Sequence, residues 1–215
     1  MYTPREPVNS ISHLAGALAS VAGLTLLVIV AALRAGVWHV VSFSIFGAAL
    51  IMMYTSSSLY HGLHLSPKGL LRMRRLDHIM IFILIAGTYT PICLVPLRGA
   101  LGFSLFGIVW GIALAGTILK LFFMNTPRWV STSIYLVMGW LCIIAIYPLS
   151  MVLSTGGMAW LGAGGFFYSL GAVIYGVKRP DPWPEIFGFH EIWHFFVMAG
   201  SFCHFWVVFH YLPYM

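Results

Sequence analysis

Charge is what this chain has least of. Of its 215 residues 11 are Lys or Arg and only 5 are Asp or Glu, while 60% are hydrophobic. A soluble globular domain of this size cannot hide that much apolar surface behind so little charge. Hydrophilic stretches are also short, which leaves no room for a soluble appendage, so residues 1–215 read as a single domain. Cysteine is scarce: Cys93, Cys142 and Cys203 stand far apart in apolar runs without a CxxC, read as small core hydrophobes, and carry no redox signal. There is no Gly-rich phosphate loop and no GxSxG elbow. The apolar runs do not alternate with period two, which excludes a membrane β-barrel, and no repeat or pair of broken helices marks a secondary transporter.

What is present is a series of seven apolar runs, each near the roughly 20 residues that a helix needs to cross a bilayer core. They span Ile11 to Leu33, Val37 to His64, Leu76 to Leu97, Leu101 to Met124, Trp129 to Leu149, Met158 to Val177 and Ile186 to Leu212. The breaks carry charge or turn residues: Arg34 with Gly36, Pro67 to Arg75, Arg98 with Gly99, Asn125 to Arg128, Ser154 to Gly157, and "KRPDPWPE" from Lys178. The first run is too long for a signal peptide and reads as a retained helix. Pro91 and Pro96 suggest a kink in the third helix and Pro148 a helix end. Gly107 with Gly111, and Ala19 with Gly23, have the small-xxx-small spacing of close helix contacts. The expected fold is an all-α, seven-helix transmembrane bundle in the plasma membrane.

The basic residues set its orientation. With the N-terminus inside, Arg5, Lys68, Arg72, Arg74, Arg75, Lys120, Arg128, Lys178 and Arg179 are cytoplasmic, leaving Arg34 and Arg98 outside. That asymmetry satisfies the positive-inside rule and puts the C-terminus outside. The same residues account for the net charge of +6 as loop charges beside anionic headgroups, so nucleic acid is not an expected partner.

Five polar residues then fall at one depth near the cytoplasmic face: Ser57 and His61 late in the second helix, Asp77 in the first turn or so of the third, and His190 and His194 early in the seventh. His190 and His194 are one helical turn apart and share a face. Three neutral imidazoles plus water make an open tetrahedral zinc site, the arrangement that activates water rather than stapling a fold. Asp77 would hold or deprotonate that water, and Ser57 would donate a hydrogen bond to the water or to a developing oxyanion. Imidazole suits several divalent ions, and zinc is the expected one. Two other readings stand beside this. Histidines at helix ends also serve as interfacial hydrogen-bonders, and "HEIWH" matches the H-E-x-x-H spacing of zincin proteases, which would make Glu191 a general base but leaves His61 and Asp77 unexplained. By spacing Glu191 points away from the two histidines and snorkels. His39, His64 and His210 read as interfacial, His13 and His204 as structural bridges, and His78 as at best a supporting group beside Asp77.

These residues carry a resemblance. "SSLYH" with Ser57 and His61, "DHIMIFILIAGTYTP" from Asp77, "YLVMGW" from Tyr135, "HEIWHFFVMAGSFCHF" from His190 and "NSISH" from Asn9 resemble the haemolysin III family, the bacterial branch of the progestin and adipoQ receptor superfamily. The resemblance implies seven helices with the N-terminus inside, zinc on the three histidines, Asp77 beside a water on the metal, and distant kinship with alkaline ceramidases. It also implies a part in membrane lipid composition and fluidity. The short N-terminal segment argues against the ligand-receptor signalling of the eukaryotic members. Three functions follow. One is a zinc-dependent hydrolase of a lipid amide or ester, with membrane lipids as partners and the acyl chain in the bundle. The second is a non-enzymatic regulator or receptor in which zinc staples helices. The third is a pore, which the apolar outer half disfavours.

Overall fold

The computed structural model describes residues 3–124, 126–184 and 186–215. Its described residues form α1 (Pro7–Arg34), α2 (Val37–Gly62), α3 (Pro67–Leu94), α4 (Ala100–Phe122), α5 (Arg128–Trp140), α6 (Ile146–Val152), α7 (Thr155–Val177) and α8 (Phe189–His210), with no strand. Seven spans result, because α5 and α6 are two parts of one crossing joined by a 3-10 turn over Leu141–Ala145. Of the expected breaks, Asn125 and Glu185 lie outside the described residues.

α3 starts nine residues earlier than the hydropathy suggested. Ser66 caps it, its hydroxyl accepting from the Gly69 N–H at 3.3 Å, and Pro67 occupies the first helical position, where its missing N–H costs nothing. Arg72, Arg74 and Arg75 are therefore helical rather than in a loop, and Asp77 stands three turns into the helix instead of in its first. Pro91 falls in the last turn of α3 and Pro96 lies beyond its end. The fifth crossing shows the opposite error. Pro148 does not end a helix; it sits in the first turn of α6, and its lack of an N–H breaks the ladder one turn earlier, at the 3-10 segment. Tyr89 of α3 satisfies the backbone groups freed there, its hydroxyl donating to the Gly139 carbonyl at 2.6 Å and accepting from the Cys142 N–H at 2.7 Å.

α1 packs on α2 and also on α8, α2 on α3, α3 on α4, and α7 on α8, so first and last crossings meet. The interior is filled by Leu27, Phe43, Phe46, Phe82, Val109, Met138 and Val207, while Leu18, Leu33, Phe122 and Tyr147 face outward toward lipid. A close helix approach that depends on glycine lies elsewhere than expected. A Cβ at Gly87 would lie 2.5 Å from the Ala49 Cβ on α2, whereas nothing lies within 4 Å of one at Gly107 or Gly111. Those two glycines make no helix contact, and Ala19 is exposed. At one end of the bundle His39 donates to the Leu212 carbonyl (3.2 Å) and Arg34 to the Tyr214 hydroxyl (2.8 Å). His61, His190 and His194 lie at the other end.

Candidate metal centre

α2 delivers His61 on its last turn and α8 delivers His190 and His194 on its first two, and the three side chains meet where α1, α2 and α8 come together. One ring nitrogen from each lies within 4.8 Å of the others. The ring centroids are 5.0 Å apart for His61 and His190, 4.9 Å for His61 and His194, and 4.9 Å for His190 and His194. His61 and His194 are buried, and His61 Nε2 and His194 Nδ1 have no hydrogen-bond partner among the described residues. Polar atoms orphaned in a membrane interior are costly. Two on converging imidazoles are what a bound cation would satisfy. Zinc holds imidazole nitrogen at about 2.0–2.1 Å, so side-chain rotations that draw the three atoms in by roughly an ångström complete the set. The donor set therefore fits a metal ion.

The third histidine nitrogen is set from outside the cluster. Glu6 precedes α1, and its backbone N–H donates to the His61 carbonyl at 2.9 Å, which lays the segment against the end of α2. Its carboxylate then accepts from His61 Nδ1 at 2.5 Å, leaving Nε2 as the free electron pair. This is a carboxylate–histidine arrangement that fixes tautomer and ring orientation. Burial works to raise the Glu6 carboxyl, but the His61 hydrogen bond, the neighbouring Arg5 charge and the Asn9 hydrogen bond outweigh it and hold it below the ordinary carboxylate range. Glu6 is therefore ionised at any pH that a cell meets. Asn9, one turn into α1, donates to Glu6 (3.3 Å) and to Glu191 (2.7 Å), tying the start of α1 to the start of α8.

Glu191 is placed differently from the sequence expectation. It does not snorkel; it accepts from Asn9 and, through its other oxygen, from the Gly188 N–H at 2.8 Å, capping α8. It is absent from the wall of the cavity beside the histidines. The zincin reading of "HEIWH" therefore has no base in position.

That cavity, of about 280 Å³, brings together every residue picked out by depth: Ser57, His61, Asp77, His190 and His194 all line it. Ser57 is buried, one turn before His61. The Asp77 carboxylate lies 3.7 Å from His78 Nδ1, which itself donates to the Arg74 carbonyl at 2.8 Å. Two participants were missed. The sequence reading gives Glu6 no role, although "EPVNSISH" repeats polar residues at helical spacing. His13, read as a bridge, stacks on His194 with centroids 3.7 Å apart and lines the cavity. The basic side chains assigned to loops also differ from expectation: Arg74, Lys120 and Arg128 line the same cavity, and Lys120 is fully buried.

Fold and site together define a multi-pass membrane protein with a buried three-histidine centre near one end of a seven-helix bundle. Comparison with known sequences supplies the lineage. The model of the family described as "Haemolysin-III related" matches residues 1–205, and the chain belongs to that family. It is 44% identical over 213 residues to the "Hemolysin-3 homolog" of Bacillus subtilis (strain 168), covering 98% of this chain and 96% of the relative. It is 40% identical over 216 residues to the "Hemolysin-3" of Bacillus cereus, covering 99% and 94%. A more distant likeness, 25% over 179 residues (81% and 72%), is to the "Monocyte to macrophage differentiation factor" of Homo sapiens. The spans and these relatives place the chain in the plasma membrane.

Proposed function

We propose that this protein is an intramembrane zinc hydrolase that cleaves an amide or ester of a long-chain acyl lipid and so acts on membrane lipid composition. The observation that carries the reading is the convergence, on one cavity, of three imidazoles, the Asp77 carboxylate beside His78 and a buried hydroxyl (Ser57). Zinc held by His61, His190 and His194 would supply the Lewis acidity that makes water nucleophilic at neutral pH. Asp77 is the carboxylate in the cavity placed to take a proton from the attacking water and return it to the leaving nitrogen or oxygen as the acyl C–N or C–O bond breaks and the new C–O bond forms. Ser57 donates to the carbonyl oxygen as charge gathers on it. Glu6 keeps His61 in the tautomer that presents Nε2. The products are a fatty acid and the freed amine or alcohol.

The test is incubation of zinc-loaded protein in lipid nanodiscs with a mixed lipid extract, reading released fatty acid by mass spectrometry. Release by the wild type, reduced on the order of 10²–10⁴-fold in Asp77→Asn with zinc still bound, is the expected result. Stoichiometric zinc with no release would replace the hydrolase by a regulator in which the metal staples α2 to α8.

A further inference from the structure

Resting on the hydrolase reading, we propose that the part of the cavity wall formed by Lys120, Arg74 and Arg128 is a phosphate subsite, which selects acyl lipids carrying a phosphate in the headgroup. The three cations come from three helices, α4, α3 and the first residue of α5. Lys120 is the informative one. It is 2% exposed, and its ammonium donates to the hydroxyls of Thr126 (2.9 Å) and Ser131 (2.5 Å), both of which also line the cavity. Those hydroxyls orient the charge and do not neutralise it. A buried ammonium without a counter-ion is expensive and is retained where something supplies the anion.

The described residues do not supply it. None of the three cations is ion-paired among the described residues. Among the described residues the cavity has two carboxylates, and Glu6 is already committed to Arg5 at 2.9 Å and to His61. Asp77 alone faces three positive side chains, which leaves an excess that fits a phosphate. The chemistry of the donors points the same way: two planar guanidinium forks and an ammonium suit an anion with several oxygens. α5 begins at this wall, with Arg128, Ser131 and Thr132 all lining it, so the positive end of its dipole adds to the field.

The subsite is close to the reaction centre. The Arg128 guanidinium lies 4.5 Å from the centroid of the Tyr175 ring, and that ring is 5.6 Å from His190. A single aromatic ring thus separates cation from imidazole. A lipid whose carbonyl is at the histidines would reach the cations only if a short linker joins acyl group and phosphate, as in a lysophospholipid.

The test is binding, so it stands apart from turnover. Zinc-loaded protein in detergent would be titrated with oleoyl lysophosphatidic acid and with monoolein, which share an acyl ester and differ in the phosphate, and with glycerol 3-phosphate and inorganic phosphate. Bound lipid would be read by native mass spectrometry and phosphate binding by calorimetry. The expected result is at least a tenfold preference for the phosphate lipid over monoolein, falling to under threefold in Lys120→Met and in Arg128→Gln, with monoolein affinity and zinc content unchanged. Lys120→Met keeps the volume and removes a buried charge, and Arg128→Gln checks the subsite from a second helix. Equal affinity for the two lipids in the wild type, or a preference that survives both substitutions, would overturn the proposal. Glycerol 3-phosphate binding as tightly as the lipid would overturn the lipid headgroup as the source of the phosphate. The preference without fatty-acid release would leave the subsite standing and sink the hydrolase; release from monoolein and lysophosphatidic acid alike, with no preference, would do the reverse.

Discussion

Glu6 controls which nitrogen of His61 is available, and that role can be separated from its part in holding α1. Glu6→Gln preserves the side-chain shape and an acceptor oxygen but removes the negative charge that anchors Nδ1–H. Loss of such a carboxylate partner costs about 10–100-fold in metal affinity. Competition with a zinc chelator should show that drop while the helix content and melting temperature of the bundle change little; unchanged affinity would reduce Glu6 to a helix-end contact. Asp77→Asn separates the other way, since the carboxylate is not among the three nitrogen donors: the metal stays and hydrolysis goes. In the sequence His13 reads as a structural bridge between helices, and the partner it would bridge to is not visible in the chain. Its stacking on His194 depends on how closely α1 meets α8, a tertiary fact that no local pattern carries.

At the scale of elements, glycine separates helix faces that pack closely from faces that do not. Gly87→Ala puts a methyl 2.5 Å from the Ala49 Cβ and must push α3 from α2, whereas Gly107→Ala and Gly111→Ala enter open space. Overpacking of that kind typically costs 1–3 kcal/mol, while Gly to Ala in an unhindered helix gains up to about 1 kcal/mol. Thermal unfolding in one detergent should therefore show Gly87→Ala lowered and Gly107→Ala equal or raised. The same lowering in both would mean that α4 has a partner at Gly107. Element existence was legible because seven long apolar runs leave few alternatives. Boundaries failed where hydropathy and capping disagree. The basic stretch before Asp77 looks like a loop by charge but has a Ser66–Pro67 start signal, and Pro148 looks like an end but serves as a beginning.

Across the whole molecule, seven crossings put the two termini on opposite sides. The positive-inside rule carries the proposal that the histidine end is cytoplasmic. A reporter active only in the cytoplasm should be active when fused after Lys178 and silent at the C-terminus, and the reverse pattern would invert the bundle. Depth was the most useful piece of sequence reasoning, because Ser57, His61, Asp77, His190 and His194 do share a cavity. It worked even though α3 starts early, since its starting error displaced the helix end and not the position of Asp77 relative to the bundle. What depth did not reveal was the cationic wall. A Lys at the end of an apolar run, such as Lys120, reads as a loop charge, and only packing shows it turned inward.

The most direct test of the central claim is the metal content of the purified protein. Elemental analysis of wild type, His61→Ala and His194→Ala, all prepared without chelator and checked for folding by gel filtration and circular dichroism, should give about one zinc per chain in the wild type and a large loss in both variants. A folded wild type without bound metal, or variants that keep it, would contradict the metal centre on which the hydrolase is built.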